Sequence, residues 1–333
     1  MKVGVFGGTR HIGFELVSRL LSAGADVTIF NRGRTAPPAP FPRPVAHVRG
    51  DRNLPKDVGK FLVNEYDVVF DLSGYTPAHV IPVLNHHVKI KQYIFCSTSS
   101  VYRVPPVLHF REDAPHTVEH KTYGGAKAAC EDLIACHSKA HGWPVTIFRP
   151  QGVIGEHSAA AMEFVVGRLL AAKSVFLDDQ RDIKMKFVDV RDLADAFILS
   201  ARGSRAYGRS YNICGDDVVD EQDFIRLCAQ AIQLEPRIQR VNKEHYKGAD
   251  IGIPWSRHDL VCDATLVKQD LSLKFTPLKE TLEHIWLAWT DRQKVVAPTK
   301  IRGEQFMLDQ RPIPFWLRTS WKLKDAIAEA VRR

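Results

Sequence analysis

The chain has 333 residues, of which 45% are hydrophobic and 25% are charged, with a formal net charge of +8. These proportions are ordinary for a soluble globular protein, and no apolar run is long enough to span a bilayer. Because the chain begins with a predicted strand and its six cysteines show no C-x-x-C spacing, we expect no signal peptide, reduced thiols and a cytoplasmic protein without a membrane partner.

The positive charge is explained most simply by a solvated basic surface. It also suits an anionic substrate, such as a phosphorylated or nucleotide-linked small molecule. Weak affinity for nucleic acid is a third interpretation, but the sequence lacks the basic-aromatic stripe that binds single strands. We therefore expect a small-molecule substrate and no nucleic-acid partner.

A strand, a glycine turn and a helix follow one another at the start of the chain. Residues 3–6 predict a buried strand, and the apolar spacing of residues 14–21 predicts a helix. In the intervening turn, Gly7 permits a tight bend and Gly13 permits close packing of the helix on the strand. The helix N-terminus then offers free N–H groups to a pyrophosphate. The predicted dinucleotide contacts are Gly7, Thr9, Arg10, His11, Ile12 and Gly13.

Strand and helix patterns alternate through the first half of the chain. Further strands are predicted at residues 27–30, 45–48, 67–72, 93–97 and 145–148, and the strongest helix at residues 122–141. This alternation favours an α/β fold with a doubly wound, parallel, Rossmann-type sheet. Ligands of such sheets bind at the carboxyl ends of the strands, where we expect the site.

The pattern loosens after residue 150. Elements are predicted at residues 159–172 (helix), 187–190 (strand), 191–201 (helix), 210–213 (strand), 221–232 (helix) and 278–289 (helix). We expect a dinucleotide-binding domain at residues 1–150, joined by returning segments from residues 187–213, and a smaller, mostly substrate-binding lobe at residues 151–294. Residues 295–333 form a predicted extension with a charged helix from Leu323, which packs on the body or joins subunits of a homodimer.

Tyr123 and Lys127 form a second motif. Because they are four residues apart, they share one face of the predicted helix. A nearby ammonium stabilises a tyrosinate, so the phenol can exchange a proton near neutral pH. Upstream, a hydroxyl-rich run at residues 97–100 lies at the end of the fifth strand.

These motifs, in this order, resemble the extended short-chain dehydrogenase/reductase family, the group of sugar-nucleotide epimerases, dehydratases and reductases. The resemblance covers about residues 1–293 and rests on residues 7–13, Asp51, residues 97–102, Tyr123 with Lys127, residues 149–150 and residues 187–194. Arg10 stands where the family has its middle glycine. The spelling of residues 7–13 is also similar to that of an atypical branch that includes chloroplast stem-loop RNA-binding proteins.

The resemblance implies the roles of the catalytic residues. Tyr123 would be the acid/base, and Lys127 would lower its pKa and bind the nicotinamide ribose. Thr98 would hydrogen-bond the reacting oxygen, although Ser97 and Ser99 compete for that role. A cofactor-binding scaffold or RNA-binding protein would not need this set, which therefore favours an enzyme.

The resemblance also implies cofactor contacts beyond the glycine turn. Asp51 would face the adenine, and Ser73 and Gly74 would line the cofactor near its phosphates and ribose. The second strand is followed by Asn31 and Arg32, without the carboxylate that accepts hydrogen bonds from the ribose of NAD. We therefore predict NADP over NAD, with Arg32 as the main contact of its extra phosphate.

The substrate side departs from the family pattern at two places. Gln151 stands where many relatives have asparagine, and Met185 replaces an arginine that binds a substrate phosphate. The flanking lysines or a nearby arginine could take over that phosphate. The predicted substrate contacts are Tyr75, Ser99, Gln151, Lys184 and Arg257, with Arg181 and Lys186 as alternatives.

The reaction type is predicted from the positions after Thr98. Dehydratases of the family have acidic residues there, whereas this chain has Ser99 and Ser100, so dehydration is disfavoured. A ketoreductase acting on a sugar nucleotide is the first interpretation, and a 4-epimerase with a retained cofactor is the alternative. No metal site is predicted, because His137 and His141 have ligand spacing without an acidic or cysteine partner.

Overall fold

A computed structural model describes residues 1–103, 109–254, 259 and 261–332. The strands are β1 (Lys2–Phe6), β2 (Asp26–Asn31), β3 (Ala46–Arg49), β4 (Tyr66–Asp71), β5 (Ile90–Cys96), β6 (Val145–Pro150), β7 (Val153–Ile154), β8 (Val175–Asp178), β9 (Val188–Asp189), β10 (Arg209–Ile213) and β11 (Ile238–Val241). The helices are α1 (His11–Ser22), α2 (Pro55–Phe61), α3 (Pro77–Leu84), α4 (Tyr123–His141), α5 (Ala160–Leu170), α6 (Val190–Ser200), α7 (Glu221–Ala231), α8 (Thr265–Leu271), α9 (Leu278–Asp291), α10 (Glu304–Leu308) and α11 (Phe315–Arg332).

The central sheet has seven strands in the order β10-β6-β5-β4-β1-β2-β3. Every neighbouring pair is parallel. Side chains of β1 alternate between the two faces, since Val3 and Val5 belong to one core cluster and Phe6 to the other. A sheet covered on both faces requires strands that are apolar on both sides, which explains the near-continuous apolar runs in the sequence. The predicted doubly wound Rossmann-type fold is confirmed.

Among the predicted boundaries that differ from the structure, two have a clear local cause. The strand expected at residues 187–190 is limited to Val188–Asp189, because the Asp189 carboxylate accepts a hydrogen bond from the Arg191 N–H (2.8 Å) and starts α6. The last helix begins at Phe315 rather than at Leu323. The helix begins there because the Pro314 carbonyl accepts hydrogen bonds from the N–H groups of residues 317 and 318, which complete the first turn.

The chain divides into two compact units. The first comprises Met1–Ser158, Lys186–Asp217 and Leu260–Thr281, and contains the seven-stranded sheet. The second comprises Ala159–Met185, Val218–Asp259 and Leu282–Arg333, and contains the parallel pair of β8 and β11. Inside the second unit the buried Arg168 guanidinium donates to the Thr299 carbonyl and the Glu304 carboxylate, which fastens the segment after α9 to α5. Within the described residues, no helix combines the length and apolar character needed to cross a membrane.

Candidate active site

The turn between β1 and α1 depends on backbone conformations that favour glycine. Gly7 and Gly8 have φ values of 111° and 97°. A Cβ atom on Gly8 would lie 2.8 Å from the Ile29 side chain, and one on Gly13 would lie 2.7 Å from the Gly8 nitrogen. The turn and α1 are therefore packed against β2 with no room for side chains. The requirement at Gly8 was not predicted, because its φ depends on the path of the turn.

The N-terminus of α1 has no side-chain cap. The N-cap residue Arg10 is extended, and its guanidinium has no acceptor for a helix N–H group. In α4, by contrast, the Thr122 hydroxyl caps the helix. The Nδ1 atom of His11 is buried without a hydrogen-bond partner in the described part of the chain. Burial, with smaller contributions from the charges of His157 and Arg10, lowers the His11 pKa to about 4. Open backbone donors at a positive helix end fit the pyrophosphate of a dinucleotide.

Asn31 braces the glycine turn from the end of β2. Its Nδ2 atom donates to the Gly7 carbonyl at 3.0 Å, and its Oδ1 atom accepts from the Gly33 N–H at 2.8 Å. The side chain of Asn31 is thus engaged with the backbone on both sides. This arrangement needs one donor and one acceptor on the same side chain, which an asparagine amide supplies and a carboxylate, with acceptors only, does not.

Two exposed arginines follow Asn31. Asn53 holds the pKa of the Asp51 carboxyl below its usual range through two hydrogen bonds, and the charges of Arg32 and Arg34 lower it further. Asp51 and both guanidinium groups therefore occupy the same corner of the sheet, beside the end of β2. This corner carries a positive excess that suits a phosphate.

A buried polar network that was not predicted lies beneath the ends of β1 and β4. The Arg52 guanidinium forms an ion pair with Asp71 and donates to the Ser73 hydroxyl at 3.2 Å. The Tyr93 hydroxyl also donates to Asp71, at 2.5 Å, and Arg52 lies 4.3 Å above the Phe6 ring. Because Asp71 is 0% exposed and Arg52 is 8% exposed, the network holds Ser73 in a fixed position. The one feature of the sequence that could have indicated this network is Asp71, an acidic residue at the end of an otherwise apolar strand.

Tyr123 and Thr98 are brought together at the carboxyl edge of the sheet. Tyr123 is the first residue of α4 and is 54% exposed, whereas Thr98 is buried at the end of β5. Desolvation by the surrounding protein raises the pKa of the Tyr123 phenol to about 12, and a hydrogen bond from Thr98 partly opposes this rise. The pKa is thus raised in this structure, where the resemblance implied a lowered one. The Thr98 hydroxyl also accepts the Ser100 N–H at 3.2 Å, which orients it.

Lys127 lies one turn further along α4 and is 1% exposed. Its Nζ atom donates to the carbonyls of Gly74 (2.9 Å) and Cys96 (2.5 Å), at the ends of β4 and β5. The ammonium lies 4.5 Å from the centre of the Phe95 ring, and burial lowers its pKa. Lys127 therefore links α4 to two strand ends, and its charge is directed at their carbonyl groups.

The two glycines between Tyr123 and Lys127 explain the position of α4. A Cβ atom on Gly124 would lie 1.9 Å from the Ser100 carbonyl oxygen, and one on Gly125 would lie 2.2 Å from the Glu119 carbonyl oxygen. Gly124 therefore permits the close approach of the helix to the turn that carries Thr98, and Gly125 permits its approach to the segment just before the helix. The spacing of the tyrosine and lysine was visible in the sequence, whereas the need for both glycines was not.

The predicted substrate residues separate into groups. Tyr75 is exposed, with its ring 6.4 Å from that of Tyr123, and Ser99 is buried beside Thr98. Gln151 is buried, and its Oε1 atom accepts the Cys262 N–H at 3.1 Å.

The basic candidates for a substrate phosphate differ in their burial. Lys184 is exposed in the second compact unit, where its backbone N–H donates to Asp259, and Arg257 lies outside the described residues. Lys186 belongs to the first unit and is only 9% exposed, although the sequence gave no reason to prefer it. Its charge opposes the rise of the Cys214 pKa that burial causes, so the ammonium lies near the end of β10. A desolvated cation at that edge is better suited to an anion than an exposed one.

The comparisons with known proteins agree with this geometry. Residues 3–214 match the model of the NAD-dependent epimerase/dehydratase family. The chain belongs to this family. Membership makes it an NAD(P)-dependent enzyme of the extended short-chain dehydrogenase/reductase type, as the sequence predicted.

Relatives within and around the family differ in their described roles. The chloroplast stem-loop binding protein of 41 kDa b from Arabidopsis thaliana is 30% identical over 260 residues, which are 74% of this chain and 67% of that protein. UDP-arabinose 4-epimerase 1 of the same plant is 26% identical over 337 residues, covering 85% of this chain and 78% of that protein. The crystal structure of UDP-glucose 4-epimerase from Bifidobacterium longum, in complex with NAD+ and UDP, shares the fold with a TM-score of 0.71 at 19% identity, covering 88% of this chain and 98% of that one.

Proposed function

We propose that the chain is a nucleotide-sugar epimerase that inverts a secondary alcohol carbon. The observation that carries the proposal is the Thr98 hydroxyl placed beside the Tyr123 phenol, whose pKa it lowers, with Lys127 anchored on the same helix α4. These groups stand at the carboxyl edge of a parallel sheet, close to the end of β1 where the glycine turn begins. Similarity to UDP-arabinose and UDP-glucose 4-epimerases supports a nucleotide sugar as the substrate.

The residues of the chain would hold the substrate and move its hydroxyl proton. Tyr123 in its deprotonated, tyrosinate form takes the proton at its oxygen when the carbon is oxidised, and the resulting phenol returns it when the carbon is reduced. The Thr98 hydroxyl provides a second hydrogen bond to the reacting oxygen and fixes its direction. A bound nicotinamide dinucleotide supplies the hydride acceptor and donor.

Dehydration is not part of the proposal. Ser99 and Ser100 follow Thr98, and neither hydroxyl can serve as the carboxylate base that water elimination needs. Ser99 is also buried and forms part of the short helical turn at residues 99–101, so it cannot turn freely towards a substrate.

A ketoreductase is the second candidate. It is favoured by the exposed Arg32 and Arg34 at the end of β2, where no carboxylate follows the strand. Such a corner suits the 2′-phosphate of NADP, which is the usual cofactor of reductions. We therefore propose NADP over NAD for either reaction.

The deciding experiment incubates the protein with UDP-glucose or UDP-arabinose, and separately with their 4-keto forms and NADPH. Proton NMR follows the configuration at the reacting carbon, and absorbance follows the reduced nicotinamide. Inversion without net oxidation of the nicotinamide is the expected result. Stoichiometric loss of NADPH with the 4-keto form would show that the protein is a ketoreductase and not an epimerase.

A binding function of another class is suggested by the similarity to the stem-loop binding protein. It predicts RNA binding without turnover of either substrate form. The same samples, titrated with a fluorescent RNA hairpin, test it. Turnover that is lost in Tyr123→Phe, with no binding of the hairpin, would exclude this function.

A further inference from the structure

Three histidines from two separate stretches meet on the first compact unit. His87 lies in the short turn before β5, and His137 and His141 lie on the last turn of α4. The ring centres are 4.1 Å apart for His137 and His141, 4.6 Å for His87 and His137, and 4.5 Å for His87 and His141. One ligating nitrogen from each ring lies within 4.8 Å of the other two.

Two of these rings are oriented by backbone carbonyl groups. The His87 Nδ1 atom is 3.0 Å from the Leu84 oxygen, and the His141 Nδ1 atom is 2.9 Å from the His137 oxygen. A carbonyl only accepts, so in each ring the proton is on Nδ1 and the lone pair is on Nε2. This is the arrangement by which proteins fix the tautomer of metal-binding histidines.

The third ring has an unsatisfied nitrogen. The Nε2 atom of His137 is buried and has no hydrogen-bond partner among the described residues. Buried polar atoms are nearly always paired, so such a nitrogen beside two further imidazoles points to a missing ligand. The Trp143 ring, fixed by its Nε1 hydrogen bond to the Ile90 carbonyl (2.7 Å), packs 5.8 Å from the rings of both His87 and His137.

We propose that His87, His137 and His141 bind one divalent transition-metal ion of the zinc, nickel or copper type. Imidazole nitrogen is the common ligand of these ions, and three protein ligands with one water complete a tetrahedral zinc site. Zinc–nitrogen distances of about 2.05 Å require nitrogens roughly 3.3 Å apart. The ligating nitrogens already lie within 4.8 Å of one another, so small side-chain rotations of all three rings would close the site around an ion.

The site is independent of the proposed reaction. Helix α4 has 19 residues and begins with Tyr123, so His141 lies about 27 Å away along its axis at 1.5 Å per residue. The nearby strand β5 also begins at Ile90, at the sheet edge opposite the candidate active site. The metal would therefore clamp the turn before β5 to the end of α4 and stabilise the fold. The paired spacing of His137 and His141 was visible in the sequence, but His87 joins them only in the fold.

The test is calorimetric titration of the full chain with zinc chloride and with nickel chloride, after removal of metals by a chelator. We expect one equivalent to bind, with at least about tenfold weaker binding in His137→Gln and in His141→Gln. His86→Gln is the matched control, since His86 precedes His87 in the chain but its ring is hydrogen-bonded to the Pro82 carbonyl and is not part of the cluster. Cys136→Ser removes the exposed neighbouring thiol and should leave binding unchanged.

Two further measurements distinguish a lost metal site from a misfolded variant. Circular dichroism should show unchanged helix content in His141→Gln, whose side chain is exposed. Zinc at about one hundred times Kd should raise Tm of the unmodified chain by roughly 4 °C, and the same zinc concentration should raise Tm of His141→Gln by at most about half as much. Absence of stoichiometric binding, or equal binding by the unmodified chain and the His137→Gln/His141→Gln double variant, would overturn the proposal.

Discussion

Glu131 on α4 and Arg149 at the end of β6 form a buried ion pair with two guanidinium nitrogens on one carboxylate. The Arg149 Nη2 and Nε atoms lie 2.6 and 3.0 Å from Glu131 Oε2. Although burial opposes it, the carboxylate raises the pKa of Arg149 above its usual value. Glu131 also accepts the hydroxyl of Ser97, the neighbour of Thr98. The pair therefore fixes the helix that carries Tyr123 relative to the strand end that carries Thr98.

Replacing Glu131 by glutamine should destabilise the protein strongly. The change leaves the Arg149 charge buried without its counter-ion, and the loss of one partner of such a pair costs about 3–5 kcal/mol of unfolding free energy. Urea denaturation measures the effect. Glu244→Gln, which removes the exposed ion pair with Lys247, is the control and should change nothing measurable. Equal stability of Glu131→Gln and the unmodified chain would show that the pair does not hold α4 in place.

Tyr123→Phe should abolish most turnover while leaving the fold and dinucleotide binding intact. The phenol oxygen is the proposed proton carrier, and such groups contribute about 10²- to 10⁴-fold to the rate. Steady-state kinetics with the nucleotide sugar measure kcat, and a dinucleotide titration measures Kd. Tyr207→Phe, at an exposed tyrosine outside the candidate site, is the matched control and should leave kcat unchanged. A Tyr123→Phe protein with nearly full kcat would refute the role.

Arg32→Ala should weaken NADP without affecting NAD. A guanidinium–phosphate contact is a charge-assisted hydrogen bond worth about 1.5–3 kcal/mol, so the Kd for NADP should rise roughly 10- to 100-fold. Arg34→Ala is the control and should have a smaller effect. Titrations of both dinucleotides into the three proteins provide the comparison. Tighter binding of NAD than of NADP by the unmodified chain would contradict the proposed cofactor.

His11 should make the stability depend on pH in the acid range. Burial lowers its pKa from 6.5 to about 4, so the unfolded chain binds more protons than the folded one between these values. The stabilisation is complete above pH 6.5 and is lost as the pH falls towards 4, by up to about 3 kcal/mol.

Urea denaturation at several pH values tests this prediction in His11→Asn, since asparagine tolerates the positive φ of 41° at this position. Between pH 6.5 and 4, the free energy of unfolding should decrease less in this variant than in the unmodified chain. In His120→Asn, at an exposed site, it should decrease as much as in the unmodified chain. An identical pH dependence of His11→Asn and the unmodified chain would exclude His11 as its source.

Lys186 and Lys184 can be distinguished by their effect on substrate affinity. The buried Lys186 cation is better placed to bind a substrate phosphate strongly, because its charge is less screened by water. Lys186→Gln should raise KM for a nucleotide sugar at least about tenfold with little change of kcat. Lys184→Gln should raise KM less. The reverse order would favour the exposed Lys184, as the sequence predicted.

The pattern of the sequence was sufficient for the sheet and for placing Tyr123 and Lys127 on one helix. Strands β1, β2, β4, β5 and β6 were predicted within a few residues, because strands buried on both faces are continuous apolar runs. The spacing of Tyr123 and Lys127 also predicts a shared helix face directly, since 3.6 residues complete one turn. Strands β8 and β11 were missed, because four-residue strands in a separate two-stranded sheet give little periodicity.

The sequence by itself determined the fold class and the family, and it predicted candidate residues for acid–base chemistry. These depend on the spacing of residues that are close together in the chain, which can be read without the tertiary structure. Only the tertiary structure decided that Arg52 pairs with Asp71, that Glu131 pairs with Arg149, and that His87 joins the histidines of α4. Each of these contacts joins segments that are far apart in the chain. Their partners are therefore selected by the strand order of the sheet and the packing of helices on it, and no local pattern records them.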